Sequence, residues 1–312
     1  MIVCLSANPS VDKLFEVERV TLGAIHRPRG FVQVPGGKGL NVARAAAALG
    51  AEVRAVALLR GHAGKWIEEA LAAEGVACRA VWTHGESRSS LSVADGEGGG
   101  LTEFYEHGSE VPASSWPELA HAVGELLGGA SWLTISGSIP PGAPADGYAG
   151  LVVEARAAGV AVALDASGQP LLLALDAGPD VVKVNASEAS ELLGRGVADR
   201  EAAIEAAREL RERAGRDGHA GVVTRGAEGV AAVAPDGSEW EGRLYVGGRY
   251  PVGSGDAFLA GLVTGLERGG PWPDALRLAL AAAAANAELA GAGRLDPSRA
   301  ASLVGEAEVG GL

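Results

Sequence analysis

The residues best placed to do chemistry in this sequence are those of Val252-Gly253-Ser254-Gly255-Asp256. Two glycines flank a serine and an aspartate follows. Ala257, Phe258, Leu259, Leu262, Val263 and Leu266 then fall at helical spacing. A glycine-rich turn that opens a helix offers unpartnered backbone N–H groups at the positive end of the helix dipole, which makes an anion site. A carboxylate inside an anion site suits one chemical role. It can orient and deprotonate an alcohol while the N–H groups of Gly253 to Gly255 hold charge on a transferring phosphoryl group. The plainer alternative is that Asp256 N-caps the helix. A second entrance, Pro35-Gly36-Gly37-Lys38-Gly39-Leu40-Asn41, precedes helical spacing over Val42 to Leu49. It is not a P-loop, because Val32 stands where that motif needs its first glycine and Gly39 where it needs Ser or Thr.

Two such turns need a rigid scaffold. Ile2 to Ala7 reads as a buried strand, closed by the turn signal Asn8-Pro9-Ser10 and followed by Asp12 and Lys13. Alternation predicts short half-exposed strands over Leu14 to Val20 and Phe31 to Val34, and a hairpin of Ser89 to Ala94 with Leu101 to Tyr105. These could form a small separate sheet. Strands over Val53 to Leu59 and Val76 to Trp82 bracket a helix over Lys65 to Ala73. Helices are then predicted over 115–127, 145–158, 186–193 and 199–213, with strands over 131–136, 160–165, 180–184 and 220–225. This alternation implies an α/β fold with a mostly parallel sheet covered on both faces. Val230 to Val233 and Ser238 to Arg243 read as an antiparallel pair, and helices over 256–267 and 272–290 close the chain.

Ligands in such sheets gather at the carboxyl ends of the strands. Polar residues fall there repeatedly: Asp12, Ser136-Gly137-Ser138, Asp165, Lys183 and Asn185 with Glu188 one turn on, and Thr224-Arg225-Gly226. Each has a bland reading. Asp12 could cap a turn, Ser136 to Ser138 could be loop, and Asn185 with Glu188 could form a capping box. Together they mark one edge of one sheet.

Composition excludes more than it assigns. The 312 residues are 47% hydrophobic, enough for a large core, and the net charge of −13 argues against nucleic acid or an anionic membrane as partner. Cys4 and Cys78 have neither metal-site nor disulfide-framework spacing, which fits a reducing cytoplasm. No basic stretch precedes the first apolar run, so no signal peptide is expected. The tract Ala275 to Ala290 contains Arg277, Asn286 and Glu288 and reads as a buried alanine-rich helix rather than a membrane span.

In combination these motifs resemble the ribokinase-like (PfkB) carbohydrate kinases, in particular the branch of 1-phosphofructokinases, tagatose-6-phosphate kinases and minor 6-phosphofructokinases. The resemblance is carried by Asn8-Pro9-Ser10-Val11-Asp12, by Gly36-Gly37-Lys38-Gly39-Leu40-Asn41, and by Thr102-Glu103. Ser136-Gly137-Ser138-Ile139-Pro140-Pro141-Gly142, Leu164-Asp165, Lys183-Val184-Asn185 with Glu188, Thr224-Arg225-Gly226 and Gly253-Ser254-Gly255-Asp256 complete it, in order along essentially the whole chain.

The resemblance implies one kinase domain over residues 1–312, a three-layer sandwich with a small β-sheet lid formed by about 12–34 and 87–107. It implies ATP-dependent phosphorylation of a sugar phosphate, with Mg²⁺, and a homodimer joined through the lid. Asp256 would be the catalytic base, with Gly253, Ser254 and Gly255 as the anion hole. Asp12, Gly36, Gly37, Lys38, Asn41, Arg88 and Ser136 would hold the sugar. Lys183, Asn185, Thr224, Gly226, Gly229 and Asn286 would hold the nucleotide, and Asn185 with Glu188 would organise Mg²⁺ largely through water.

The chain departs from the pattern at Val184, usually proline, and at Ser254, usually a smaller residue. It departs also at Ser90 and Ser92, where many relatives carry Asn and Lys. Arg88 and Lys38 remain as cations for a substrate phosphate, with His107 or Arg27 as further candidates. Fructose 1-phosphate is the leading acceptor. Tagatose 6-phosphate, fructose 6-phosphate and an unphosphorylated sugar or nucleoside are the alternatives. A dinucleotide-dependent oxidoreductase is disfavoured, because Phe258 stands where that fingerprint needs its third glycine.

Overall fold

A run such as Ile2-Val3-Cys4-Leu5 has no polar side to show water, so it is stable only inside a sheet covered on both faces. In a computed structural model, which describes residues 1–215 and 217–312, these four side chains are 0% exposed. Val3 and Leu5 enter one hydrophobic cluster while Ile2 and Cys4 enter another on the opposite face. The two-residue period of a strand therefore feeds two separate cores.

The strands in chain order are β1 Ile2–Ser6, β2 Ser10–Val17, β3 Gly30–Gly36, β4 Val53–Arg60, β5 Ala77–Thr83, β6 Arg88–Asp95 and β7 Leu101–Tyr105. They continue as β8 Trp132–Ser136, β9 Ala161–Asp165, β10 Val181–Asn185, β11 Ala220–Thr224, β12 Val230–Val233, β13 Glu239–Arg243 and β14 Glu308–Gly311. The helices are α1 Lys38–Ala48, α2 Gly61–Ala73, α3 Ser115–Leu127, α4 Gly147–Ala157, α5 Gly168–Asp176, α6 Ala186–Leu193, α7 Arg200–Ala214, α8 Ser254–Glu267, α9 Trp272–Ala287 and α10 Pro297–Val304.

The large sheet runs β14-β13-β12-β11-β10-β9-β8-β1-β4-β5. It is parallel from β11 to β5 and antiparallel from β12 outward. One core packs α3, α4, α5 and α7 on it, and the other packs α1, α8, α9 and α10. This is the three-layer α/β architecture expected from the alternation of elements. The remaining strands form a small sheet, β3-β2-β6-β7, with β2 and β6 parallel and both outer pairs antiparallel.

After β1 the chain lays β4 and β5 on one side, then crosses to place β8 onward on the other. The switch lies between β1 and β8, so their carboxyl ends open a crevice. The register lines up the chemistry: Ser136 pairs with Asp165, and Asn185 with Thr224.

The sequence reading misses α5, α10 and β14 and runs α9 three residues too long. The apolar stretch Leu171 to Leu175 in α5 is continuous and lacks a helical period. Helix α10 is only 8 residues, and β14 is a 4-residue edge strand held by β13 alone.

Helix α1 approaches the sheet closely because Gly39 has no side chain: a Cβ there would lie 2.0 Å from the Leu5 carbonyl oxygen. That oxygen belongs to the backbone and cannot step aside. Gly39→Ala is therefore expected to destabilise the fold by about 1–3 kcal/mol, as overpacking does. It should also lower activity, since α1 carries Lys38 and Asn41. Gly128→Ala, where an added Cβ meets nothing, is the control. Equal denaturation midpoints for the two variants would contradict this.

Candidate active site

The α8 entrance is built by Gly253, the N-cap, whose φ of 82° lies in the left-handed region. A Cβ there would sit 2.7 Å from the Gly293 nitrogen, so both conformation and space require glycine. Gly255 differs: its φ is not positive, and an added Cβ would meet only the Lys183 ammonium, at 3.0 Å. In the turn, the Ser254 N–H donates to Pro251 O and the Ala257 N–H to Gly253 O. Among the described residues, the N–H groups of Gly255 and Asp256 have no backbone partner, and they face the crevice at the positive end of the helix. Asp256 is thus third in the helix and not its cap, and no side chain caps this helix.

Asp256 is 6% exposed and accepts a hydrogen bond from Asn41 Nδ2 at 2.8 Å. Burial is the main force on its carboxyl and the neighbouring Asp165 adds to it, lifting its pKa from 3.8 to about 7 against the pull of Lys38, Asn41 and Lys183. Asp165, at 0% exposure, forms the electrostatic centre. Its two oxygens accept from Lys38 Nζ at 2.9 Å and Lys183 Nζ at 2.6 Å. Burial would raise the Asp165 pKa, but the two lysines together hold it below the ordinary value. Asp165 in turn is the largest influence raising the Lys38 pKa. The sequence places Asp165 at a strand end without giving it a role. The missing signal is that β9 and β10 are neighbours, which sets Lys183 beside it.

Lys38, Asn41, Lys183, Asp256 and the Gly253 to Gly255 turn line one cavity of about 740 Å³, while Asp165 is buried outside its lining. At one end the small sheet contributes Asp12, Arg88, Ser90, Ser92 and Tyr105. Asp12 bonds Ser10 Oγ at 2.5 Å, and burial raises its pKa despite Ser10 and Arg88. Gly36 does not line the cavity. It makes room for Asp12, whose carboxylate oxygen would lie 2.0 Å from a Cβ there. Arg88 is half-buried; its Nε and Nη2 both donate to Asn8 O at 3.3 Å and its Nη1 to Ser90 Oγ at 3.3 Å. It forms no salt bridge with any described carboxylate. Arg27 and His107 are exposed and lie outside the cavity lining. Ser136 Oγ and Asn41 Oδ1 are buried at the cavity without a hydrogen-bond partner.

At the other end Thr224, Gly226 and Gly229 form one rim, and Leu280, Ala283, Ala284 and Ala287 of α9 form an apolar wall. The sequence reading takes this i, i+3, i+4, i+7 stripe for core; it faces the cavity. Asn286, expected beside a nucleotide base, is instead 0% exposed beneath the α8 entrance and outside the lining.

The model of the pfkB family carbohydrate kinases matches residues 6–299. Over 295 residues the chain is 34% identical to a 1-phosphofructokinase of Haloferax volcanii, covering 93% of this chain and 92% of that one. It is 33% identical over 287 residues to a 1-phosphofructokinase of Rhodobacter capsulatus, covering 90% and 88%. Among solved structures, phosphofructokinase-2 of Escherichia coli in complex with substrates and products superposes with a TM-score of 0.89 at 26% identity, covering 98% of each chain. The chain belongs to the pfkB family of carbohydrate kinases. It is an ATP-dependent sugar-phosphate kinase, which sets aside the oxidoreductase alternative.

In this pfkB-family kinase Asn185 and Glu188 form a full capping box. Asn185 Oδ1 accepts from the Glu188 N–H at 2.9 Å, and Glu188 Oε2 from the Asn185 N–H at 2.8 Å. The other Glu188 oxygen accepts from Lys38 Nζ at 3.1 Å. Among the described residues no three His, Cys, Asp or Glu side chains come together as a metal cage. A site with few protein carboxylates suits a hard ion whose remaining ligands are water and phosphate oxygens.

A carboxyl that keeps its proton to about pH 7 when folded but only to the ordinary 3.8 when unfolded binds more protons in the folded state between those values. Stability from this group therefore falls as pH rises from about 4 to 7, and the penalty is complete above it. Asp256→Asn is expected to lose about 10²–10⁴-fold in kcat while its Tm exceeds that of the wild type at pH 8 and not at pH 4. Wild-type kcat/KM should drop on the acid side of about 7. A variant keeping a third of wild-type kcat, or a pH profile with no acid limb, would remove Asp256 as the base.

Proposed function

We propose that this kinase transfers the γ-phosphoryl group of ATP to the free primary hydroxyl of fructose 1-phosphate, giving fructose 1,6-bisphosphate and ADP. The observation that carries this reading is Arg88: a half-buried guanidinium on the cavity wall that forms no salt bridge among the described residues, although Asp12 and Glu106 lie near enough to act on its charge. A guanidinium so placed suits a phosphate, which it can bind through two parallel charged hydrogen bonds. The names of the two curated relatives point the same way.

In the mechanism, the small sheet acts as the lid that closes on the sugar, and Asp12, Asn41 and Ser136 hold its hydroxyls. The Asp256 carboxylate takes the proton of the attacking hydroxyl as its oxygen bonds to the γ-phosphorus and the bond to ADP breaks. The open N–H groups of Gly255 and Asp256, with Lys38 and Lys183, meet the charge on the phosphoryl oxygens. Thr224, Gly226 and Gly229 border the nucleotide and the α9 stripe packs on its base. Mg²⁺ would be held by the nucleotide phosphates and, through water, by Glu188 and Asn185, where it neutralises phosphate charge.

The chain acts as one kinase domain over residues 1–312, working in the cytoplasm as a homodimer paired through the lid. Phe31 and Phe104, on β3 and β7 at the two opposite edges of the small sheet, are 56% and 59% exposed, apolar groups suited to contact with a second copy. Among the described residues no helix is long and apolar enough to cross a membrane.

One observation favours a second reading. Ser92 Oγ donates to Glu103 Oε1 at 3.3 Å, and Tyr105 donates to the same oxygen, which sets a negative charge near the sugar end. That charge favours an unphosphorylated sugar. An ADP-release assay across fructose 1-phosphate, fructose 6-phosphate, tagatose 6-phosphate and free fructose separates the readings. Fructose 1-phosphate is expected to exceed fructose by more than about tenfold in kcat/KM, since a charged hydrogen bond contributes about 1.5–3 kcal/mol. Arg88→Ala should erase most of that preference. Equal use of free fructose by the wild type would overturn the phosphate reading.

Glu188→Gln tests the metal assignment. The variant can still cap α6, so folding should hold, while the Mg²⁺ concentration for half-maximal rate rises several-fold. An unchanged Mg²⁺ titration would leave Glu188 with its capping role alone.

A further inference from the structure

We infer that Asn286 is a positioning residue, its buried amide fixing the helix entrance that receives the transferring phosphoryl group. The inference rests on the reading of the Gly253 to Asp256 turn as the phosphoryl site. Asn286 lies in the last turn of α9, fully buried, and its side chain does not reach the cavity. Its Nδ2 donates to the Val252 carbonyl at 3.0 Å and to Ser254 Oγ at 3.3 Å. Its Oδ1 accepts from the Gly293 N–H at 2.8 Å. One amide therefore grips the residues on either side of Gly253 and also the loop that follows α9.

The two gripped segments are those that fix the reacting geometry. The Gly293 nitrogen is what a Cβ on Gly253 would strike, at 2.7 Å. Gly293, at φ +71°, is itself packed so that a Cβ would lie 2.7 Å from Asn41 Cα. Asn41 donates to Asp256 at 2.8 Å. From Asn286, one path leads through Val252 and Ser254 to the open N–H groups and another through Gly293 and Asn41 to the base. A turn containing two glycines has little rigidity of its own. A buried amide with both its N–H groups and its oxygen engaged supplies what it lacks, because any shift of the turn would leave buried polar groups unpaired.

The test uses Asn286→Asp, which keeps the acceptor for Gly293 but has no donor for Val252 and Ser254. Asn286→Ser is a smaller second variant that guards against loss of folding. With the best acceptor found in the sugar series, both should lose about tenfold to a hundredfold in kcat, the effect of a displacement near 1 Å. KM for the sugar and Kd for ADP should stay within about twofold. In Mg²⁺ buffer, aluminium fluoride with ADP mimics the transferring group. It should tighten ADP binding in the wild type and lose most of that effect in the variants.

Folded variants with wild-type kcat and full fluoride enhancement would overturn the inference and leave a structural amide. Weakened ADP binding with kcat unchanged at saturation would also overturn it and move Asn286 to nucleotide binding. A wild type that gains nothing from aluminium fluoride would overturn the phosphoryl-site reading beneath it, an outcome visible without any variant.

Discussion

The site depends on the cost of burying Asp256. A carboxylate 6% exposed, close to a second one at Asp165, is held in place only by nearby cations and donors. Asp165 draws Lys38 from α1 and Lys183 from β10 to itself, and those lysines are also what makes an ionised Asp256 tolerable. Three elements far apart in sequence are therefore locked by one electrostatic balance. Because the balance is incomplete, the Asp256 carboxyl stays near neutrality in its proton affinity, where a general base is most effective.

That balance needs helices closer to the sheet and to one another than side chains allow. Gly39 lets α1 rest on the Leu5 carbonyl, and Gly253 lets the α8 entrance rest on Gly293. Gly36 leaves the space that Asp12 fills. Each is a place where the chain gives up a side chain so that polar groups of other elements can meet. This explains why glycines surround Lys38, Asn41 and Asp256 in the two stretches that carry the site.

The scaffold was legible because its period is strong. The helices Ser115–Leu127 and Ala186–Leu193 and the strands Leu101–Tyr105 and Val230–Val233 appear at the boundaries their patterns dictate. Helix α5 was not, since its unbroken apolar run has no period to read. At the site, the residues that end strands or open helices could be picked out, because turn chemistry is local. What stayed hidden was set by neighbours in space. The two lysines on Asp165, the α9 stripe turned to the cavity and the burial of Asn286 all depend on which elements pack together. Gly36 and Asn286, which the motifs mark as contact residues, lie outside the cavity lining.

The charges on the wall give the last constraint. Its acidic side chains are Asp12, Glu188 and Asp256 and its basic ones Lys38, Arg88 and Lys183, so the wall offers no large excess of positive charge to a ligand. A nucleotide triphosphate and a sugar phosphate together add several negative charges that these lysines and one arginine cannot neutralise, occupied as the lysines are by Asp165 and Glu188. Uncompensated, that charge would raise the proton affinity of Asp256 further and keep its carboxyl protonated. Under the proposed function the remaining compensation comes from groups that carry no counter-charge of their own: the open N–H groups of α8, whose dipole points into the cavity, and an ion that would arrive with the nucleotide. A fixed entrance geometry and a wall poor in metal ligands are then two consequences of the same balance.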